Sequence, residues 1–225
     1  MTKSYHHGDL RRALVDVAIE IIDEEGMAAF SVAEACRRLK VSPGAPYRHF
    51  TDRSDILVEI AIRAIGVMAH HVSESQPEHP DPLDRLAHAV RGYVVFAAEH
   101  PALFEVVFSK EVFIGTNEKM REAARPVAEA FVRPAYELPG ISRHTANSIV
   151  MAAAAIAHGY GALLGVGSFD GRTDAVAAAA GRAAQAVRAL ISGPDTLLPV
   201  PDEDAIILAG TPIQTWVDEI GVRTR

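Results

Sequence analysis

Two helix-start signals stand eleven residues apart in SVAEACRRLKVSPGAPYRHFTDR, residues 31–53, which leaves room for two short helices joined by a tight turn and for little else. Ser31 and Glu34 form an S-x-x-E capping box: the Ser31 hydroxyl accepts from the Glu34 amide, and the Glu34 carboxylate turns back to the Ser31 amide. The first helix is therefore expected to start near Val32, with Ala35, Leu39 and Val41 along its apolar side. Ser42 followed by Pro43 repeats the signal, because proline at the first helical position gives up an amide that has no helical partner there. The second helix can run only about two turns before Thr51-Asp52-Arg53-Ser54-Asp55, a third start signal with Asp52 as N-cap.

Helical signals continue along the chain. Leu10, Leu14, Val17, Ala18, Ile21 and Ile22 recur at the spacing of one amphipathic face over residues 9–25, and Gly26 ends the run. Phe30 precedes the Ser31 cap and can staple onto the helix behind it. Residues 55–73 predict a long fourth helix with Ile56, Leu57, Ile60, Ile62 and Ile65, whereas residues 74–82, ESQPEHPDP, are polar, proline-broken and loop-like. Helices are expected again over 83–99, 102–108 and 117–137, the last bent or ended by Pro126 and Pro134, and then over 145–165 and 174–191. Strand signals are almost absent. The fold class is all-α with about nine helices: an N-terminal three-helix domain over 1–54, a helical domain over 55–192 and a C-terminal extension over 193–225.

With 225 residues, 49% of them hydrophobic, the chain can bury a sizeable core. Its single cysteine excludes an intrachain disulfide framework, and Cys36 reads as a small core residue. The opening MTKSYHHGDL is polar and lacks the apolar stretch of an export signal, so a cytoplasmic location is expected. Residues 149–169 are long enough to suggest a membrane span, but they are mostly alanine and glycine with His158 near the centre. A buried helix without membrane contact is expected.

The two capped helices, the closing Tyr47-Arg48-His49-Phe50 and the following Arg53 resemble the DNA-binding half of the TetR family of bacterial transcriptional repressors. The resemblance covers roughly residues 5–60, and Tyr5-His6-His7-Gly8-Asp9-Leu10-Arg11 is similar to the opening of one subgroup. It implies a helix-turn-helix that meets double-stranded DNA at a palindromic operator. Tyr47, His49 and Arg53 match positions that usually contact phosphate, with Arg37, Arg38 and Lys40 as additions; Ser31 and Ser42 cap the two helices. Pro43, Gly44 and Ala45 match the front of the recognition helix, yet none can make the bidentate hydrogen bonds that read guanine or adenine. Base reading is then expected to lean on Arg48, on thymine methyl contacts and on DNA shape. Two residues depart from the family pattern. Lys40 stands where glycine is usual and must take a left-handed conformation, and Pro46 deletes an early backbone hydrogen bond of the recognition helix.

Net charge is −7 with a sequence pI of about 5.8, which by itself disfavours a polyanionic partner. The distribution reverses that inference locally. Residues 31–53 hold Arg37, Arg38, Lys40, Arg48 and Arg53 against Glu34 and Asp52, a segment of +3 on a remainder of −10. A small basic footprint of this kind loses DNA affinity steeply with salt.

In the C-terminal half the resemblance implies a homodimer and a small, mostly apolar effector. Residues 145–165 and 174–191 are crowded with alanine and glycine, so full burial or a subunit interface is expected, and the family favours the interface. Ala152, Ile156, Tyr160, Ala179, Arg182 and Leu190 are placed at or near the contact. Candidate pocket-lining residues are Tyr93, Phe96, Phe104, Phe108, Phe113, Met120, Phe131, Tyr136 and His158, with His158-Gly159 resembling a His-Gly of the same subgroup. Ordinary core packing is the alternative at each of these positions. The tail breaks at Pro194, Pro199, Pro201 and Pro212, but Ile206, Ile207, Leu208 and Trp216 are costly to leave in water, so docking is expected over disorder.

Catalysis finds no foothold in the motifs. There is no G-x-S-x-G, HExxH, GxxxxGK or CxxC pattern, so neither catalytic residue nor cofactor is expected. His6-His7 beside Asp9 is not expected to hold a metal, because adjacent histidines on a regular helix cannot both face one ion. An architectural DNA-binding protein without a ligand and an all-helical enzyme are the other readings of the chain.

Overall fold

The computed structural model describes residues 7–74, 81–113, 118–169, 173–193, 207–208 and 211–222. Its helices are α1 (His7–Glu25), α2 (Val32–Leu39), α3 (Arg53–Ser73), α4 (Pro82–Glu99), α5 (Pro101–Val107), α6 (Lys110–Phe113), α7 (Glu118–Glu137), α8 (Arg143–Gly165), α9 (Ala175–Ile191) and α10 (Ile213–Ile220). Two of these, α6 and α10, were not anticipated by the helical periodicity. The polar segment of residues 75–80 and much of the tail, including Pro194, Pro199, Pro201 and Ile206, lie outside the described residues.

The chain forms two compact units, Met1–Ala64 with His100–Met120, and Ile65–Glu99 with Arg121–Arg225. This division differs from the boundary expected at residue 54. The first half of α3 belongs to the first unit, and so do α5 and α6, because α5 packs on α1 and on the 3-10 turn Met27–Ala29.

In the first unit, α1 ends where Gly26 takes a φ of 84°, a conformation that favours glycine. Leu14, Ala18 and Ile21 of α1, Cys36 of α2, Phe50, and Ile56, Leu57 and Ile60 of α3 form the core, all at most 5% exposed. Burying a Leu, Ile or Phe side chain contributes about 1.5–3 kcal/mol each. Arg11 pairs with Glu59 and stacks 4.9 Å over the Phe50 ring, while Arg63 pairs with Asp16, so charge as well as burial joins α1 to α3. The start of α3 is capped as its sequence signal demands: Asp52 accepts from the Asp55 amide at 3.0 Å, and the Asp55 carboxylate accepts from the Thr51 amide at 2.8 Å.

Residues 43–50 depart from expectation. No α-helix forms there; the segment closes as turns and a single 3-10 turn, Pro46–Arg48. Pro46 lacks the amide that would donate to the Ser42 carbonyl four residues back, and the Ala45 amide takes that carbonyl instead at 3.0 Å. Gly44 adds about 1 kcal/mol against an α-helix. Half of the Ser31 capping box also fails: Ser31 accepts from the Glu34 amide at 3.2 Å, but the Glu34 carboxylate turns to Arg37 and Arg38.

In the second unit α4 packs against both α8 and α9, which also pack on each other. Gly92 lets α4 approach the end of α3 so closely that a Cβ there would lie 2.2 Å from the His71 carbonyl oxygen. α7 runs straight through Pro126 and Pro134, so each proline removes one hydrogen bond without ending the helix. Tyr136 of α7 donates to the buried Asn147 of α8 at 2.5 Å. The tail docks through α10, with Trp216 fully buried, Arg121 of α7 paired with Glu219, and Arg125 donating to the Glu219 carbonyl at 3.1 Å.

Candidate nucleic-acid interface

α2, the turn after it and the 3-10 turn Pro46–Arg48 present one set of exposed residues over a buried base. Ser31, Arg37, Lys40, Ser42, Pro43, Gly44, Tyr47 and Arg48 are exposed, Ala45 and His49 are half-buried, and Pro46 and Phe50 are buried beneath them. Lys40 caps α2 at φ 55°, ψ 40°, the left-handed region that its place in the turn requires. Its amide donates back to Arg37 and Cys36 carbonyls, which closes the helix end and leaves the ammonium outward. Tyr47 is 62% exposed, far more than a phenol ring needs to be on a folded surface, and Arg48 stands beside it.

Two of the expected phosphate contacts are engaged within the fold. Arg38 has only 21% of its side chain exposed and pairs with Glu24 and Glu25 at the end of α1 as well as with Glu34 of its own helix. Arg53 donates to the Met27 and Phe30 carbonyls at 2.9 and 3.0 Å, pairs with Glu111 of α6, and lies 5.3 Å over the Phe30 ring. Met27 opens the Met27–Ala29 turn and Phe30 caps its end, so Arg53 fixes the entry to α2. Glu24, Glu25 and Glu111 were not anticipated as site residues. A charge count along residues 31–53 cannot see carboxylates that reach in from α1 and α6.

The outward cations are therefore Arg37, Lys40 and Arg48. Arg37 is 73% exposed although it shares Glu34, whose carboxyl the two arginines hold down to about 2. Burial raises the Cys36 thiol under this surface, so it stays a neutral core group.

The pocket candidates fall into separate clusters. In the second unit Tyr93 and His158 share a hydrogen bond at 3.2 Å, and Tyr93 meets Phe131 edge to face at 6.3 Å. Burial lowers the His158 imidazole and raises the Tyr93 phenol, so both are neutral. Phe96, Phe131 and Tyr136 are core residues of this unit. Phe104 and Phe108 meet at 4.9 Å with their rings tilted by 52° in the first unit, where Met120 is buried; the Phe113 side chain lies outside the described residues. The second unit also holds a cleft of about 230 Å³ lined by Ser73, Arg85, Pro126, Glu129, Ala130, Arg133 and Pro134, none of them among the expected pocket residues.

Of the interface candidates, Ala152, Ile156, Tyr160 and Leu190 are partly exposed and Arg182 is exposed. Ala179 is corrected to a core position: it is fully buried within the protomer, on the side of α9 that packs inward. His6 and the His7 side chain lie outside the described residues.

Comparison with known proteins agrees with this geometry. Residues 14–60 match the family of bacterial regulatory proteins of the tetR type, and residues 86–187 match the tetracyclin repressor-like C-terminal domain. The HTH-type transcriptional regulator YobS of Bacillus subtilis is 31% identical over 105 residues, 46% of this chain and 53% of its own. The HTH-type transcriptional regulator AcrR of Shigella flexneri is 29% identical over 122 residues, 52% of this chain and 56% of its own. The chain thus spans about half the length of the curated relatives it matches. A protein of unknown function from Rhodococcus sp. RHA1 superposes with a TM-score of 0.63 at 26% identity, over 82% of this chain and 98% of that one. The two family matches together span about two thirds of the sequence and cover α2 with the turn and 3-10 turn that follow it and the α4–α8–α9 packing; the chain belongs to the TetR family.

Proposed function

We propose that the protein is a cytoplasmic, homodimeric transcriptional repressor that binds a palindromic operator and leaves it when a small effector binds the second unit. The observation that carries this reading is the surface at 37–48, where Arg37, Lys40, Tyr47 and Arg48 stand outward on a base clamped by Arg38 and Arg53. Exposed cations on a rigid base can grip phosphate without a large ordering cost. The recognition segment is a 3-10 turn without Asn, Gln or Glu, so Arg48 is its only long side chain able to donate two hydrogen bonds to guanine.

Dimerisation is supported by apolar surface left over in the protomer. α8 is long and apolar enough to cross a membrane by length and composition, yet only 33% of its apolar window is buried in the protomer. Leu163 and Val166 are 44% and 77% exposed. A second copy covers such a stripe, and a two-fold pair then places two heads on one face of the duplex.

Selection of bound sequences from random duplex DNA by the purified full chain tests the reading. A recovered palindrome with half-sites about one helical turn apart is expected. Arg48→Ala should relax its sequence preference, and Lys40→Ala should weaken all sequences alike. Recovery of no enriched sequence at low salt refutes the proposal. A metabolite panel titrated against the operator complex separates an effector-released repressor from a ligand-free architectural protein.

A further inference from the structure

We propose that the cleft between the end of α3, the start of α4 and α7 binds a small carboxylate that carries an apolar body. This goes beyond the effector reading in naming the place and the chemistry, and binding there does not require that DNA release follows.

The cleft has an apolar floor and a polar rim. Pro126, Ala130 and Pro134 line it from successive turns of one α7 face, while Arg85, Arg133, Glu129 and Ser73 bring polar groups to it. Pro134 has no amide, so the Ala130 carbonyl loses its helical donor, and Pro126 does the same to the Glu122 carbonyl. A helix that keeps two prolines about two turns apart on one face presents flat, rigid, apolar ground to a ligand and gives up backbone hydrogen bonds to do so.

The rim supplies the anion recognition. Arg85 pairs with Glu137, but its Nε is buried and has no hydrogen-bond partner, a condition that buried guanidinium nitrogens rarely tolerate. A carboxylate oxygen satisfies that donor after a small rotation of the side chain into the cleft, and its second oxygen can share the adjacent edge of the fork. Arg133 pairs with Glu129 one turn away on its own helix, with both side chains about two-fifths exposed. Surface pairs of this type are weak, so a ligand carboxylate can draw Arg133 from Glu129. Inorganic anions would use the same two arginines but leave the proline floor wet. The volume, about 230 Å³, suits a ring or short chain rather than a large effector.

Benzoate is the probe, with benzamide as its uncharged match and inorganic phosphate as the anion without an apolar body. Each is titrated calorimetrically into the full-length protein without DNA. Benzoate is expected to bind with a stoichiometry of one per chain, and benzamide and phosphate at least about tenfold more weakly, since each lacks one half of the recognition. Arg85→Lys keeps the charge beside Glu137 but loses the fork, and should weaken benzoate by about tenfold. Glu137→Gln removes the competing carboxylate and should tighten it several-fold, a gain that a merely structural Arg85–Glu137 pair would not produce. Circular dichroism melts of both variants show whether the fold is intact; should Arg85→Lys not fold, Ala130→Met, which fills the floor, replaces it and should abolish binding. No benzoate binding, equal binding of benzamide, or indifference to both Arg85→Lys and Glu137→Gln overturns the proposal. Benzoate binding without any change in operator affinity leaves the cleft standing and refutes only its use as the effector site.

Discussion

Glycines aside, Lys40 alone among the described residues holds a positive φ, and it does so in the turn that follows α2 in the candidate DNA-binding surface. The left-handed region costs an L-residue roughly 1–2 kcal/mol, so a glycine there would relieve strain. The cation that glycine lacks faces outward, where phosphate would lie. Lys40→Gly should therefore raise the stability of the protein by about 0.5–1 kcal/mol while weakening DNA binding and flattening its salt dependence. Thermal melts and fluorescence anisotropy on the same preparation check both signs; a variant that gains stability and keeps full affinity assigns Lys40 no role at DNA. The turn was legible from a capped helix followed by Ser42-Pro43, and the left-handed Lys40 from the family resemblance, which puts glycine at that position. The fate of Arg38 and Arg53 was not. Both sit in a basic stretch that reads as phosphate-binding, yet their partners, Glu24, Glu25 and Glu111, come from α1 and α6, and only the fold brings these charges together.

Elements obeyed their local signals wherever caps and periodicity agreed. α1 stops at Gly26, α3 starts at the Asp52 cap, and Ser142 caps α8 by accepting from the Thr145 amide at 3.1 Å, two residues before the start expected from periodicity. They departed where proline had to be weighed against context. Pro46 defeats a short helix that has nothing else to hold it, whereas Pro126 and Pro134 are carried by a twenty-residue helix packed along its length. The α4–α3 approach at Gly92 was not legible, since a lone glycine in a helical pattern reads only as a weak spot. Gly92→Ala gains about 1 kcal/mol of helix propensity, but its methyl meets the His71 carbonyl, and the forced repacking should cost typically about 1–3 kcal/mol or more. Net destabilisation in urea melts is expected; a stabilised variant would show that the close approach is not obligatory. The caps also set an acid limit. Hydrogen bonds from Arg37 and Arg38 lower Glu34 from 4.5 to about 2, and those from the Thr51 hydroxyl and amide lower Asp55. Because the folded values lie below the unfolded ones, the stabilisation is complete above about 4.5 and is lost as pH falls toward about 2. The difference in melting temperature between the protein and Glu34→Gln should hold constant from pH 7 to about 5, shrink below it and close only toward about pH 2; a difference undiminished at pH 3 contradicts the assigned cause.

At the scale of the molecule, the family membership and the leftover apolar face of α8 bear on one question: whether function requires two copies. A single head offers Arg37, Lys40 and Arg48 as outward cations, and three phosphate contacts are few for a protein of net charge −7. In the proposed dimer, operator affinity in the useful range would then depend on two heads binding together, since the second contact would be made at the high effective concentration set by the first. Leu163 lies 44% exposed on α8, a helix of which only 33% of the apolar window is buried in the protomer. Leu163→Glu places a charge that stays solvated in a monomer and is desolvated in a dimer, so the burial cost falls on association and leaves the protomer fold intact. The variant should melt within a few degrees of the parent, elute as a monomer, and lose at least about a hundredfold in affinity for a full palindrome while binding an isolated half-site as before. Light scattering and paired titrations of full and half operators read these outcomes. A dimer that survives the substitution would move the interface off α8, and a monomer that still binds the full palindrome at parental affinity would mean that each head recognises DNA on its own.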